Sequence, residues 1–191
     1  MKEKLLRLQE ELFNGDEIYS SQKKMQSVTG KRGNHLGAIK IGEKGEYKIY
    51  LPRYPLEVLK EPILDYIKTI TGLDKNDDVT FALHAYGKLH EDMHFDNFLE
   101  EKYAIQSSDK NKKRKVNDYQ EELTAETKTI SHSKCTEGLG IIYTVATIVN
   151  AYEYLNDKQM AKDLAKMFPE IKEEAKFLKS YMRSQKRGLW N

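Results

Sequence analysis

The stretch "GKLHEDMHFDN", residues 87 to 97, carries His90, Glu91 and His94 in the order H-E-x-x-H. These are side chains that ligate metals and move protons. On an α-helix of 3.6 residues per turn, side chains four apart stand one above the other, so both imidazoles reach a single ion while Glu91 flanks its open side. A catalytic zinc typically takes three protein ligands and keeps one position for water. The motif supplies two of the three. The chemistry this predicts is hydrolysis: a bound cation acidifies water and polarises a peptide carbonyl, and Glu91 accepts the proton as general base.

The third ligand has to come from elsewhere in the chain. "YQEELTAE" offers Glu121, Glu122 and Glu126, which lie 27, 28 and 32 residues after His94. Glu122 and Glu126 are four apart and share a helical face. Taken singly they read as an ordinary exposed helix; their appearance together with His90 and His94 gives them a second meaning. A rival set also exists. His132 and Cys135 are three apart and could close a structural tetrahedral site with His90 and His94. His84 falls on the far side of the helix from His90 and reads as a packed histidine, as does His35 in its loop. Tyr86, Tyr119 and Tyr143 are all available to stabilise an oxyanion.

"HEDMH" followed across a polar stretch by "YQEELTAETKTISHSKCTEGLGI" resembles the metallopeptidase-like domain of ArdC-type antirestriction proteins. In that family an H-E-x-x-H helix precedes a helix with an E-E-L-x-A-E core and then an L-G-I segment. The resemblance spans about residues 78 to 182. It implies a zincin-like fold with His90, His94 and Glu122 as zinc ligands, Glu91 as general base and Glu126 supporting a ligand. It also implies an antirestriction or anti-defence factor of a phage, plasmid or other mobile element, acting on a protein or peptide substrate or a host protein target. Asp92 stands where the family usually has leucine, and no counterpart of the family's single-stranded-DNA-binding domain is recognisable.

Several elements must position these groups. Leu5, Leu6, Leu8 and Leu12 predict a short N-terminal helix ended by "NGD". "YSSQKKMQSVTGKRGNHLG" reads as loop. "AIKIGEKGEYKIYLP" alternates apolar and polar residues about a Gly-containing turn and predicts a β-hairpin. A helical face from Leu56 to Ile70 ends at Gly72. One long helix is expected from Val79 to Tyr103, with Asp77 or Asp78 as its cap and Gly87 as a weak point. "QSSDKNKKRKVND" reads as a basic loop, "YQEELTAETKTI" as a helix, and 141–155 and 159–182 as amphipathic helices broken near Asn156 and Pro169. The fold class expected is α+β: a small N-terminal hairpin or sheet, two metal-bearing helices and a C-terminal helical cap. We read 1–191 as one domain, with 1–72, 73–134 and 135–191 as its parts.

Composition narrows the function further. A 32% charged and 39% hydrophobic chain with no apolar run long enough to cross a bilayer predicts no membrane partner. The N-terminus lacks a signal core, and one cysteine excludes an internal disulfide framework, so a cytoplasmic location is expected. A net charge of +2 leaves nucleic-acid binding to local patches. The patch on offer is Lys110, Lys112, Lys113, Arg114 and Lys115, which suits phosphate contacts and equally suits a solvated loop. Two further readings follow. One is a non-catalytic protein-binding inhibitor of a host nuclease or defence system, and the other is a nucleic-acid-binding accessory protein.

Overall fold

The computed structural model describes residues 12–13, 15–30, 35–42, 46–59, 61–99, 110–133 and 158–169, with 172–173, 176–177, 180 and 184. In chain order these form β1 (Ile18–Ser20), α1 (Gln22–Thr29), β2 (Ala38–Ile41), β3 (Tyr47–Pro52) and a 3-10 turn (Pro55–Glu57). Then come α2 (Glu61–Thr71), α3 (Asn76–Leu99), α4 (Lys110–Ser133) and α5 (Lys158–Met167). The fold class is mixed α+β, mostly helical, with one small sheet.

The hairpin forms where the alternation predicts it. β2 pairs antiparallel with β3, setting Ala38 opposite Tyr50 and Ile41 opposite Tyr47. β3 is the central strand, and β1 adds to its other edge in parallel, with Ile18 opposite Tyr50. Strand β3 is buried from Ile49 to Pro52 because both sheet faces are covered. One face carries Met25, Ala38 and Tyr50 beneath α1. The other lies on α3.

β1 and α1 correct the loop expected over this region. The helix has few apolar residues, but its ends are well made: Ser21 Oγ accepts from the Lys24 N–H at 3.4 Å, and Gly30 turns left-handed with φ 67°. Such caps satisfy backbone groups that a short helix cannot pair internally. Met25, fully buried, anchors it to the sheet. The helical face expected from Leu56 also starts later, at Glu61. Pro62 explains the shift, since its ring would strike the carbonyl four residues back and it lacks the N–H to donate. Gly72, at φ 66°, ends α2 as expected.

α3 begins at Asn76, ahead of the expected start. Asp77 and Asp78 occupy its first turn, where carboxylates favour the positive end of the helix dipole. The loop expected over the basic stretch is also corrected, because Lys110–Lys115 are the opening turns of α4. Clustered lysines and asparagines disguise a helix whose later turns are held by packing on α3, and propagation needs only one added hydrogen bond per residue. The expected N-terminal helix before Leu12, the 141–155 helix, the break near Asn156, Cys135 and Tyr143 lie outside the described residues.

The main core joins the helices: Val58 and Leu59 with Ile63 and Ile67 of α2, Val79, Leu83, Tyr86 and Leu89 of α3, Ile130 of α4, and Met160 and Leu164 of α5. α3 runs through the middle and is covered on two sides. Residues 86, 90 and 94 face α4, and 84, 87, 91 and 95 face the sheet. Among the described residues no helix is long and apolar enough to cross a membrane.

Candidate metal centre

α4 turns one stripe toward α3. Ala125, Glu126, Thr129 and Ile130 are buried, at the i, i+1, i+4, i+5 spacing of a helix face. Glu122 sits one turn earlier on the same stripe. Ala125 has only a methyl group, so the helices approach closely at the level of the carboxylates.

His90 Nε2 and His94 Nε2 face each other at 3.1 Å. Glu122 Oε2 lies 3.5 Å from the first and 3.4 Å from the second. A tetrahedral zinc with bonds of about 2.0–2.1 Å separates its donor atoms by about 3.3 Å. The triangle therefore has the size that one zinc ion requires, and the donor chemistry, two imidazoles and a carboxylate, suits that ion. His90, His94 and Glu122 are the group of potential metal-ligating side chains that converges among the described residues.

The outer nitrogens are held as well. His94 Nδ1 lies 3.1 Å from Glu121 Oε1. His90 Nδ1 faces Glu126 Oε2 at 3.5 Å, an ion-pair distance longer than a normal hydrogen bond. Glu126 is fully buried, and the Tyr86 hydroxyl donates to its two oxygens at 3.0 and 3.1 Å. The Tyr86 ring also stacks on His90, with centroids 5.7 Å apart. The Glu121 carboxylate on the far nitrogen of His94 favours the tautomer that leaves Nε2 free to face an ion.

Charge follows from this crowding. Burial alone would lower the His94 pKa, but the Glu122 charge and hydrogen bonds to Glu121 and Glu122 outweigh it and raise the value from 6.5 to about 9. His90, buried likewise, is pushed well above 6.5 by Glu126 and Glu122, with a contribution from Glu91. Burial would raise the Glu122 carboxyl, yet His94 and His90 hold it well below its usual range. The acids around the pair thus favour its protonated form when no metal is bound, while the facing Nε2 atoms, 3.1 Å apart, leave room for one proton between them.

Glu91 is buried, and it lies on the sheet side of α3 beside Gly37. Asp92, the departure from leucine, pairs with Lys88 one turn earlier at 2.6 Å, so the acid does not face an apolar neighbour. His132 is exposed near the end of α4, away from the buried pair, so the rival set finds no support among the described residues. His84 donates from Nε2 to the Pro52 carbonyl at 2.7 Å and meets the Tyr19 ring edge-on, as a packed histidine does. Tyr119 donates to Asp163 at 2.8 Å, tying α4 to α5. Side chains of Lys110 to Lys115 lie outside the described residues. Sequence reasoning offered Glu121 only as one of three acids; its adjacency to Glu122 gave no sign that it would reach the opposite nitrogen of His94. Comparison with protein-family models, curated proteins and solved structures returns no match.

Proposed function

We propose that the protein is a zinc-dependent hydrolase of the metallopeptidase type, with His90, His94 and Glu122 holding the ion. The observation that carries this is the 3.1–3.5 Å triangle of two nitrogens and one oxygen, backed by a carboxylate on each outer nitrogen. When bound, the ion supplies Lewis acidity for water and for a peptide carbonyl. Glu121 orients His94, and Glu126 with Tyr86 orients His90. Glu91, on the turn of α3 between the two histidines, accepts a proton at its carboxylate and passes it to the leaving amine. Burial of the cluster keeps bulk water from competing with these contacts and strengthens the electrostatics.

A role as an antirestriction or anti-defence factor is part of this proposal and rests on the motif resemblance. A host protein is then the substrate class.

Metal content and Glu91→Gln test the reading together. Purified protein should carry one zinc per chain and hydrolyse an unfolded polypeptide such as casein. Glu91→Gln should keep the zinc and lose turnover. Full turnover in that variant would assign hydrolysis to other residues. Zinc bound without any turnover in either protein would favour the non-catalytic binding reading.

A further inference from the structure

We propose that Gly37 is a positioning residue for Glu91: the backbone leading into β2 lies on the Glu91 side chain and fixes where its carboxylate sits. The positioning role rests on the zinc-hydrolase reading; the contact itself does not. A Cβ placed on Gly37 would stand 2.8 Å from both Cγ and Oε1 of Glu91 and 2.8 Å from the Gly87 carbonyl oxygen. Carbon atoms do not pack at that distance. Among the described residues the positive-φ glycines are Gly15, Gly30 and Gly72, so alanine at 37 meets no left-handed backbone penalty. Space alone demands hydrogen there.

Gly87 completes the crossing from the other side. A Cβ on Gly87 would run into the Leu36 carbonyl oxygen, stand 2.9 Å from the Leu36 carbonyl carbon and touch Leu51 Cδ2 at 3.3 Å. Two glycines, one on each segment, let backbone meet backbone at the turn of α3 that carries Glu91. This accounts for a glycine in the middle of a long helix, where it costs about 1 kcal/mol in propensity.

The segment cannot lift away. The His35 N–H donates to Gln22 Oε1 at 2.7 Å, and the His35 carbonyl accepts from Gln22 Nε2 at 2.9 Å. Leu36 is buried in the main core, and Ala38 is paired with Tyr50 in the sheet. The Gly87 carbonyl belongs to the α3 backbone. A methyl group at 37 meets both this carbonyl and Glu91, and of the two only the Glu91 side chain can turn aside, so it is displaced while the contact with the Gly87 carbonyl remains. His90 and His94 lie about 60–100° away around α3 and make their contacts with α4, so this displacement moves the base and leaves the metal ligands where they are.

Gly37→Ala tests the idea in two ways. With casein-derived peptide as substrate, zinc stoichiometry and KM should hold while kcat falls about 100-fold, the scale of a misplacement of about 1 Å. An unchanged kcat overturns the proposal. The second measurement needs neither zinc nor turnover: thermal midpoints of wild type, Gly37→Ala, Glu91→Ala and the double variant. Gly37→Ala should lower the midpoint by clearly less, or recover folding, once Glu91 is truncated; equal losses in both backgrounds overturn the contact. Absence of zinc and turnover in the wild type would instead count against the hydrolase reading and leave this cycle interpretable.

Discussion

The two sides of α3 hold their polar groups by different means. On the α4 side, His90 and His94 are surrounded by side chains: Glu121, Glu122, Glu126 and Tyr86 all reach them or one another within 3.5 Å. On the sheet side, the Glu91 side chain lies close against Gly37, where the β2 segment crosses α3 at Gly87, while its neighbours there make separate contacts. His84 bonds the Pro52 carbonyl, and Phe95 stacks on Tyr47 with centroids 4.1 Å apart. The difference teaches how one helix turn serves two tasks. The His90, His94 and Glu122 triangle is built by side chains alone, and the backbone crossing leaves no room for an added Cβ.

The largest test of this contrast is Glu122→Ala, which leaves two ligands for the ion. Zinc affinity, measured by chelator competition, should fall by more than about 100-fold. Retained affinity would mean that the triangle is not the binding site. Glu121→Gln and Glu126→Gln remove only support for the imidazoles and should each weaken zinc by about 10–100-fold. If either matches Glu122→Ala, the division between ligand and support is drawn in the wrong place.

On the backbone side, Gly87→Ala should destabilise the fold by about 1–3 kcal/mol or more, as overpacking does, in metal-free protein. Chemical denaturation measures this directly. A neutral result would show that the Leu36 segment can move and that the sheet side is as yielding as the α4 side.

Protons give a finer measure of the α4 side. His90 and His94 have raised folded-state values, so protonation of the pair stabilises the metal-free fold fully below 6.5, and that contribution is lost as pH climbs above it, through about 9 for His94. Glu122, held low, contributes above 4.5 and loses its contribution as pH falls further. The metal-free thermal midpoint should accordingly peak between these model-peptide values, 4.5 and 6.5, and decline toward pH 9. Zinc should flatten the decline and release protons on binding at pH 7, readable by calorimetry in buffers of different ionisation enthalpy. Binding without proton release would mean the imidazoles are already neutral.

Asp92→Asn should leave the metal cluster untouched and act on stability alone. Removing the partner of the buried Lys88 ammonium should cost about 1–3 kcal/mol with zinc affinity unchanged. A change in zinc affinity would join Asp92 to the metal cluster.

How much of this was legible depends on how local each cause is. The hairpin was readable because alternation at 38–41 and 47–52 is a nearest-neighbour pattern. α1 was not, since its caps and the single anchor Met25 matter only once the sheet is there to receive them. The basic opening of α4 misled because its composition is that of a loop while its helicity is secured further along, at Ala125 and Ile130. Asp163, the partner of Tyr119, lies 44 residues away, beyond any spacing rule.

The order H-E-x-x-H by itself determined that His90 and His94 share one helix face and that Glu91 lies off it, because helical periodicity is a property of the chain alone. Only tertiary structure decided which of three acids on one helix completes the triangle, which two lie against the outer nitrogens of the imidazoles, and that two glycines 50 residues apart meet beside Glu91. Those outcomes depend on how α4 and the β2 strand approach α3, and interhelical distance and backbone crossing are set by the packing of the whole core.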